Sequence, residues 1–173
     1  MKKNNIIKLC MAAMFAALIC VATIVIQIPS PISGFLNFGD CFILVAAWML
    51  GPVYGGAAGA IGSAMADIIT GYVVFAPATF VIKGIIAVLA ALITKAVSAK
   101  KSMPKLVGYI SGAVCAELWM IFGYYIYGAL VMGYGFIGAK AELPMNAVQG
   151  AVGAVAGCII ITVLSKVGAE RKL

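Results

Sequence analysis

Histidine is absent from this sequence, charge is scarce at 10% of residues, and the acidic side chains number only five. Without histidine there is no imidazole for acid–base catalysis, for haem ligation or for a histidine zinc site. A soluble domain carries about 25% charged residues, so this chain lacks the means to cover a water-facing surface. Its apolar fraction of 65% and mean hydropathy of +1.16 make lipid its solvent. The strict alternation of an outer-membrane barrel is missing as well. The glycine-rich stretch Gly51-Pro-Val-Tyr-Gly-Gly-Ala-Ala-Gly59 is not followed by Lys-Ser/Thr, so it is no phosphate-binding loop. No Asp-x-x-Asp spacing and no nucleophile–base pair marks an enzyme. Cys10, Cys20, Cys41, Cys115 and Cys158 lack paired spacing and read as small apolar packing residues, neither a disulfide framework nor a metal site. No cofactor is expected.

What is present is a series of apolar runs. A spanning helix needs about 20 mainly apolar residues. The runs predict six helices: Ile6–Ile28, Gly39–Leu50, Val53–Ile69, Ala78–Val97, Lys105–Leu130 and Pro144–Val167, with breaks at Gly51-Pro52 and Gly71-Tyr72. The second is short, and a five-span reading with a re-entrant segment there stays open. The expected fold is all-α: one integral-membrane domain over 1–173, a bundle of six transmembrane helices.

Charge placement orients it. Six spans gather Lys2, Lys3, Lys8, Lys95, Lys100, Lys101, Lys105, Lys166, Arg171 and Lys172 on one side, leaving Lys83 and Lys140 towards the other. The positive-inside rule makes the lysine-rich side cytoplasmic, with both termini inside. The net charge of +7 is used up by topology and by anionic headgroups, and no nucleic-acid partner is expected. The basic start followed by an apolar run resembles a secretory signal, but its removal would leave five spans and a misplaced lysine loop. The first helix is therefore expected to be retained.

Charges inside spans cost at least about 2.5–3.5 kcal/mol near the bilayer centre and mark pathways or sites. Here they are Asp40, Asp67, Lys83 and Glu117, accompanied by Asn146 and Gln149. Topology puts all but Glu117 in the outer leaflet, and Glu117 near mid-membrane. Gly56, Ala60, Ser63 and Asp67 share one helical stripe; Asn146, Gln149, Gly150, Gly153 and Gly157 share another; Glu117 aligns with Ile121 and Tyr124. Polar groups on small-residue stripes face the bundle. Lys83 could instead be a structural latch to Asp40 or Asp67, and Glu117 a satisfied core residue. Tyr72, Phe75, Tyr124, Tyr134 and other rings gather at the outer surface, where an interfacial belt explains many of them. Combined with the polar cluster, they describe an outward-opening pocket suited to a flat polar small molecule.

The segments Asn37-Phe-Gly-Asp40, Leu50-Gly-Pro-Val-Tyr-Gly-Gly56, Gly59-Ala-Ile-Gly-Ser-Ala-Met-Ala-Asp67, Gly71-Tyr72 and Ala76-Pro-Ala-Thr-Phe-Val-Ile-Lys-Gly84 occur in an order and spacing that resembles the substrate-binding S components of energy-coupling factor (ECF) vitamin transporters. The resemblance covers the whole chain, including the Ala-xxx-Ala pairs Ala12/Ala16 and Ala13/Ala17 of the first helix. It implies high-affinity capture of a vitamin or precursor from outside and its import at the bacterial cytoplasmic (inner) membrane. It also implies a partner module of one transmembrane T subunit and two ATPases, which would hydrolyse ATP on this chain's behalf. The candidate substrate-binding set is Asn37, Asp40, Asp67, Tyr72, Lys83, Glu117, Trp119, Tyr124, Asn146 and Gln149, and the candidate T-subunit surface is Ala12, Ala13, Ala16 and Ala17. Three carboxylates against one lysine in the spans disfavour a strongly anionic ligand. That favours a small pyridine or pyrimidine vitamer, with riboflavin next. An integral-membrane enzyme, or an accessory subunit of another complex, is the alternative.

Overall fold

The computed structural model describes residues 3–30, 32, 34–99 and 103–168. Of the basic residues that orient the sequence reading, Lys2, Lys100, Lys101, Arg171 and Lys172 lie outside the described residues. Helix α1 (Lys3–Val25) leads into a two-stranded antiparallel hairpin, β1 (Ile28–Pro29) and β2 (Phe35–Leu36), with Ile28 opposite Leu36. Then follow α2 (Gly39–Ile69), α3 (Ala76–Ser98), α4 (Lys105–Leu130), a short α5 (Gly135–Gly138) continued by a 3-10 turn (Ala139–Glu142), and α6 (Leu143–Lys166). Among the described residues, five helical stretches are long and apolar enough to cross a membrane.

The longest single helix, α2, is not straight. Gly51 has φ 80 and ψ −179, a left-handed φ that glycine adopts without steric cost. Its extended ψ is what a following proline demands, and Pro52 then starts the next helical run with a preset φ. A methyl group on Gly55 would lie 2.7 Å from Ala47 Cα, and one on Gly59 would lie 3.1 Å from Ile43 Cγ2. Residues eight and sixteen apart on a straight helix are separated by about 12 and 24 Å. The two halves of α2 therefore run back along each other as a helical hairpin. Its first half, 39–50, is only about 18 Å long.

Around this hairpin pack α1, α3 and α6, and α4 closes the bundle against α3 and α6. Small residues set the distances. At Gly62 an added methyl would meet the Ala16 carbonyl oxygen at 2.4 Å, so α1 and α2 touch backbone to backbone. The core comprises Ile43, Leu44, Ile86, Ala87, Ala113, Ala116 and Met120. The exterior is apolar too: Val53 is 76% and Ile137 87% exposed, while Asp40 and Lys83 are enclosed. This inversion of polarity is that of a chain whose solvent is lipid.

Two sequence expectations need correction. The first helix ends at Val25, because Ile28 and Pro29 belong to the hairpin. The link between α4 and α6, expected as loop, contains the short helical turns 135–142.

Candidate functional site

The N-terminus of α2, the C-termini of α2 and α4, and the N-termini of α3 and α6 all meet at one end of the bundle. There a cleft encloses about 670 Å³ of non-atom space, part of it open to the surroundings. The hairpin supplies Gly34, Phe35 and Leu36; Asp67, Tyr72, Phe75 and Thr79 come from α2, α3 and the turn between them; Tyr124 and Tyr134 come from α4 and just beyond it, and Asn146 and Gln149 from α6.

Beneath the cleft lies a closed polar network. Asp40 and Lys83 form an ion pair at 2.5 Å, with exposures of 0% and 2%. Gln149 Nε2 donates to the other oxygen of Asp40 at 2.6 Å. The Gln149 carbonyl in turn accepts from the Asn37 backbone N–H at 2.9 Å and its side-chain amide at 3.4 Å, and Asn37 Oδ1 accepts from the Gly39 N–H at 3.0 Å. Asp40 occupies the first turn of α2, where the helix macrodipole favours an anion. The Lys83 ammonium also sits 5.5 Å from the centre of the Tyr124 ring, and the Tyr124 hydroxyl is 3.0 Å from Thr79 Oγ1. A buried pair with its remaining lone pairs satisfied avoids most of the desolvation penalty that such pairs otherwise carry. Of the two partners the sequence reading left open for Lys83, the structure places Asp40 against it.

Rings line the wall. Phe35 meets Tyr72 edge to face at 4.9 Å between centroids, Tyr72 meets Phe75 at 6.3 Å, and Phe75 meets Tyr127 at 5.7 Å. The hairpin is tied to the α6 side at two points. Asn37 bonds Gln149, as above, and the Glu142 carboxylate accepts from Ser30 Oγ and, at 3.2 Å, from the Ile32 N–H.

Of the ten residues expected to bind substrate, Asn37, Asp67, Tyr72, Tyr124, Asn146 and Gln149 line the cleft. Asp40 and Lys83 lie one layer below it. Glu117 lies on a separate shallow groove between α4 and α6, among Val114, Leu118, Ile121 and Ala154. Both Glu117 carboxylate oxygens are buried without a hydrogen-bond partner among the described residues. Trp119 packs on Phe122, away from the cleft. Ala12 is buried, Ala16 half-buried, and Ala13 and Ala17 exposed, so the four alanines divide between two faces of α1. Sequence reasoning missed Ser30, Leu36, Thr79, Glu142 and Met145 as cleft residues. The signal available was local: Glu142 and Ser30 are polar groups immediately flanking apolar runs.

An apolar-surfaced helical bundle with one aromatic, polar-floored cleft at its end defines a multi-pass membrane protein that binds a small molecule. Residues 3–166 match the family of ECF-type riboflavin transporter S components, and the chain belongs to that family. It is thus a substrate-binding component of a transporter and not an enzyme. A protein from the gap 3′ region of Pyrococcus woesei, itself uncharacterised, is 36% identical over 140 residues, covering 80% of this chain and 88% of the relative. Among solved structures, an S component of a bacterial ECF transporter superposes with a TM-score of 0.70 at 22% identity, covering 96% of this chain and 98% of that one. ThiT from Listeria monocytogenes gives 0.70 at 21% identity, covering 97% and 98%. These two likenesses establish the fold.

Proposed function

We propose that the cleft captures a vitamin or vitamin precursor from outside the cell, and that the chain carries it inward as the S component of an ATP-driven ECF transporter. The observation that carries this reading is the cleft itself, aromatic on its walls and built on a satisfied polar floor, in a chain of this family. Its lining, rings and apolar side chains with a few convergent polar groups, is the kind that holds a small molecule. The flat walls and scarce charge favour a small heteroaromatic, of the pyridoxine or hydroxymethylpyrimidine type. Riboflavin is the second reading, supported by the substrate in the family's own name.

The same reading has six spans, because α2 folds back on itself, with both termini and the α3–α4 loop in the cytoplasm. Lys3, Lys8, Lys95, Lys105 and Lys166 all belong to the bundle end opposite the cleft, so the positive-inside rule turns the cleft outward, away from the cytoplasm. ATP hydrolysis then falls to two ATPase subunits coupled through a T subunit, in the bacterial cytoplasmic membrane. Native mass spectrometry of the purified protein tests the ligand: a retained, unmodified heteroaromatic vitamer is expected, and turnover of a supplied one would refute the reading. Labelling of Ala99→Cys in intact cells with a membrane-impermeant thiol reagent tests the orientation. It should fail, and strong labelling there would overturn the six-span arrangement.

A further inference from the structure

Taking the vitamer reading as its basis, we infer that Asp67 is the residue by which the cleft selects its ligand: it accepts a hydrogen bond from an N–H or protonated nitrogen and excludes phosphorylated or carboxylated forms of the same molecule. The selection rests on three observations. First, Asp67 lines the cleft and is only 6% exposed, yet its Oδ2 has no hydrogen-bond partner among the described residues. A buried acceptor left unmade costs about 1–3 kcal/mol, a deficit that a ligand donor removes. Second, among the described residues no lysine or arginine lines the cleft. Lys83 lies in the layer below with its ammonium bonded to Asp40, so its charge is already matched. Third, the other acid on the wall, Glu142, is engaged with Ser30 and the Ile32 N–H. An anionic group entering here would meet two carboxylates and no cation, and like-charge juxtaposition costs several kcal/mol.

The chemical class follows from the rest of the wall. Phe35, Tyr72 and Phe75 offer faces and edges to a flat ring, and Asn146 offers both a donor and an acceptor. The ligand is therefore a heteroaromatic with an amino, amidine or ring N–H group on the edge turned to Asp67, and without an anionic substituent.

The test is titration calorimetry on the intact detergent-solubilised protein with matched pairs. The pairs are pyridoxamine and pyridoxamine 5′-phosphate, hydroxymethylpyrimidine and its phosphate, thiamine and thiamine monophosphate, and riboflavin and riboflavin 5′-phosphate. The wild-type protein should bind one unphosphorylated member at least about 100-fold more tightly than its phosphate. Asp67→Asn keeps the shape and removes the charge. It should weaken that ligand about 5- to 150-fold and shrink the preference over the phosphate at least about tenfold. A merely structural Asp67 would lower both affinities together and leave the ratio unchanged, which would overturn the inference while leaving the vitamer reading intact. So would equal wild-type binding of the phosphate, a comparison that decides the matter even where the variant does not fold. If no member of any pair binds, the vitamer reading itself falls, and the assignment of Asp67 falls with it.

Discussion

The two ends of the bundle use the same helices to opposite effect. At the end away from the cleft, α3 and α4 are pressed together. A methyl on Gly112 would sit 2.7 Å from the Ala90 carbonyl oxygen, and one on Gly108 would sit 3.1 Å from that of Thr94. The polar atoms there are paired: Trp48 Nε1 donates to Thr94 Oγ1 at 2.9 Å, and Thr94 donates to the Gly108 carbonyl at 3.0 Å. Trp48 and Tyr109 meet at a tilt across the same corner, 5.0 Å between ring centroids. At the cleft end, α3 and α4 are bridged instead by side chains, the Thr79 hydroxyl lying 3.0 Å from that of Tyr124, and Asp67 Oδ2 has no hydrogen-bond partner among the described residues. Small residues and closed hydrogen bonds seal one end, while large rings and an open acceptor hold the other apart. The cleft thus opens where rings and an unpaired acceptor take over from closed hydrogen bonds, with the Asp40–Lys83 pair as the boundary between the two regimes.

The largest effect should come from breaking that boundary. Lys83→Met leaves Asp40 buried with Gln149 as its remaining partner. Removing one member of a buried pair typically costs about 3–5 kcal/mol, so the variant should lose most of its resistance to unfolding in detergent. Replacing both partners, Asp40→Leu with Lys83→Met, should recover much of the loss, since an apolar substitute for the whole pair is often neutral. A double variant as unstable as the single one would show that the pair does more than seal the floor.

Next comes the sealed end. Gly112→Ala forces a methyl against Thr94 Oγ1 and the Ala90 carbonyl. Overpacking of this kind costs about 1–3 kcal/mol, against a gain of at most about 1 kcal/mol in helix propensity. Thermal unfolding should therefore drop while ligand affinity stays within about twofold. A large loss of affinity would mean that the two ends are mechanically coupled.

At the cleft, Asn146→Ala should weaken ligand binding about 5- to 150-fold, and Lys140→Ala, on the exposed 3-10 turn, should not change it. Glu117→Gln separates what the sequence could not. Read from its helical stripe alone, Glu117 belongs with Asn146. In the structure Glu117 is outside the cleft lining, its carboxylate oxygens buried beside Gly150 and Gly153 of α6, so affinity should change less than for Asn146→Ala. Equal losses would return Glu117 to the binding set.

That contrast shows where sequence reasoning reached and where it stopped. The helices were legible because lipid imposes long apolar runs, and because Gly51-Pro52 announces the reversal within α2. The stripe Gly56, Ala60, Ser63 and Asp67 was legible for the same reason: all four are buried. A stripe says that a side chain faces inward, but not what meets it. Asp40 and Asp67 look equivalent along the chain, and only packing gives one a lysine and the other the cleft. The hairpin was invisible, since two-residue strands have no period to detect. The tie between Ser30 and Glu142 spans 112 residues of sequence, beyond the reach of any local pattern.

The smallest effect on the purified protein should come from the outer face of α1, where Ala13 and Ala17 are exposed. Ala12 is 6% exposed and faces the bundle, as does Ala16, whose carbonyl abuts Gly62. Ala13 and Ala17 point outward beside Met14, itself 71% exposed. A strip of small side chains lets a second helix approach until the backbones touch, and the proposed T subunit supplies such a helix. Trp at position 13 or 17 should therefore leave folding and ligand affinity unchanged but abolish uptake in cells that carry the whole module. Ala12→Trp is the control: it drives an indole into the α1–α2 contact and should destabilise the fold itself. Uptake that survives Ala13→Trp and Ala17→Trp would move the docking surface elsewhere. A matching fall in affinity would instead mean that α1 helps to shape the cleft from the outside.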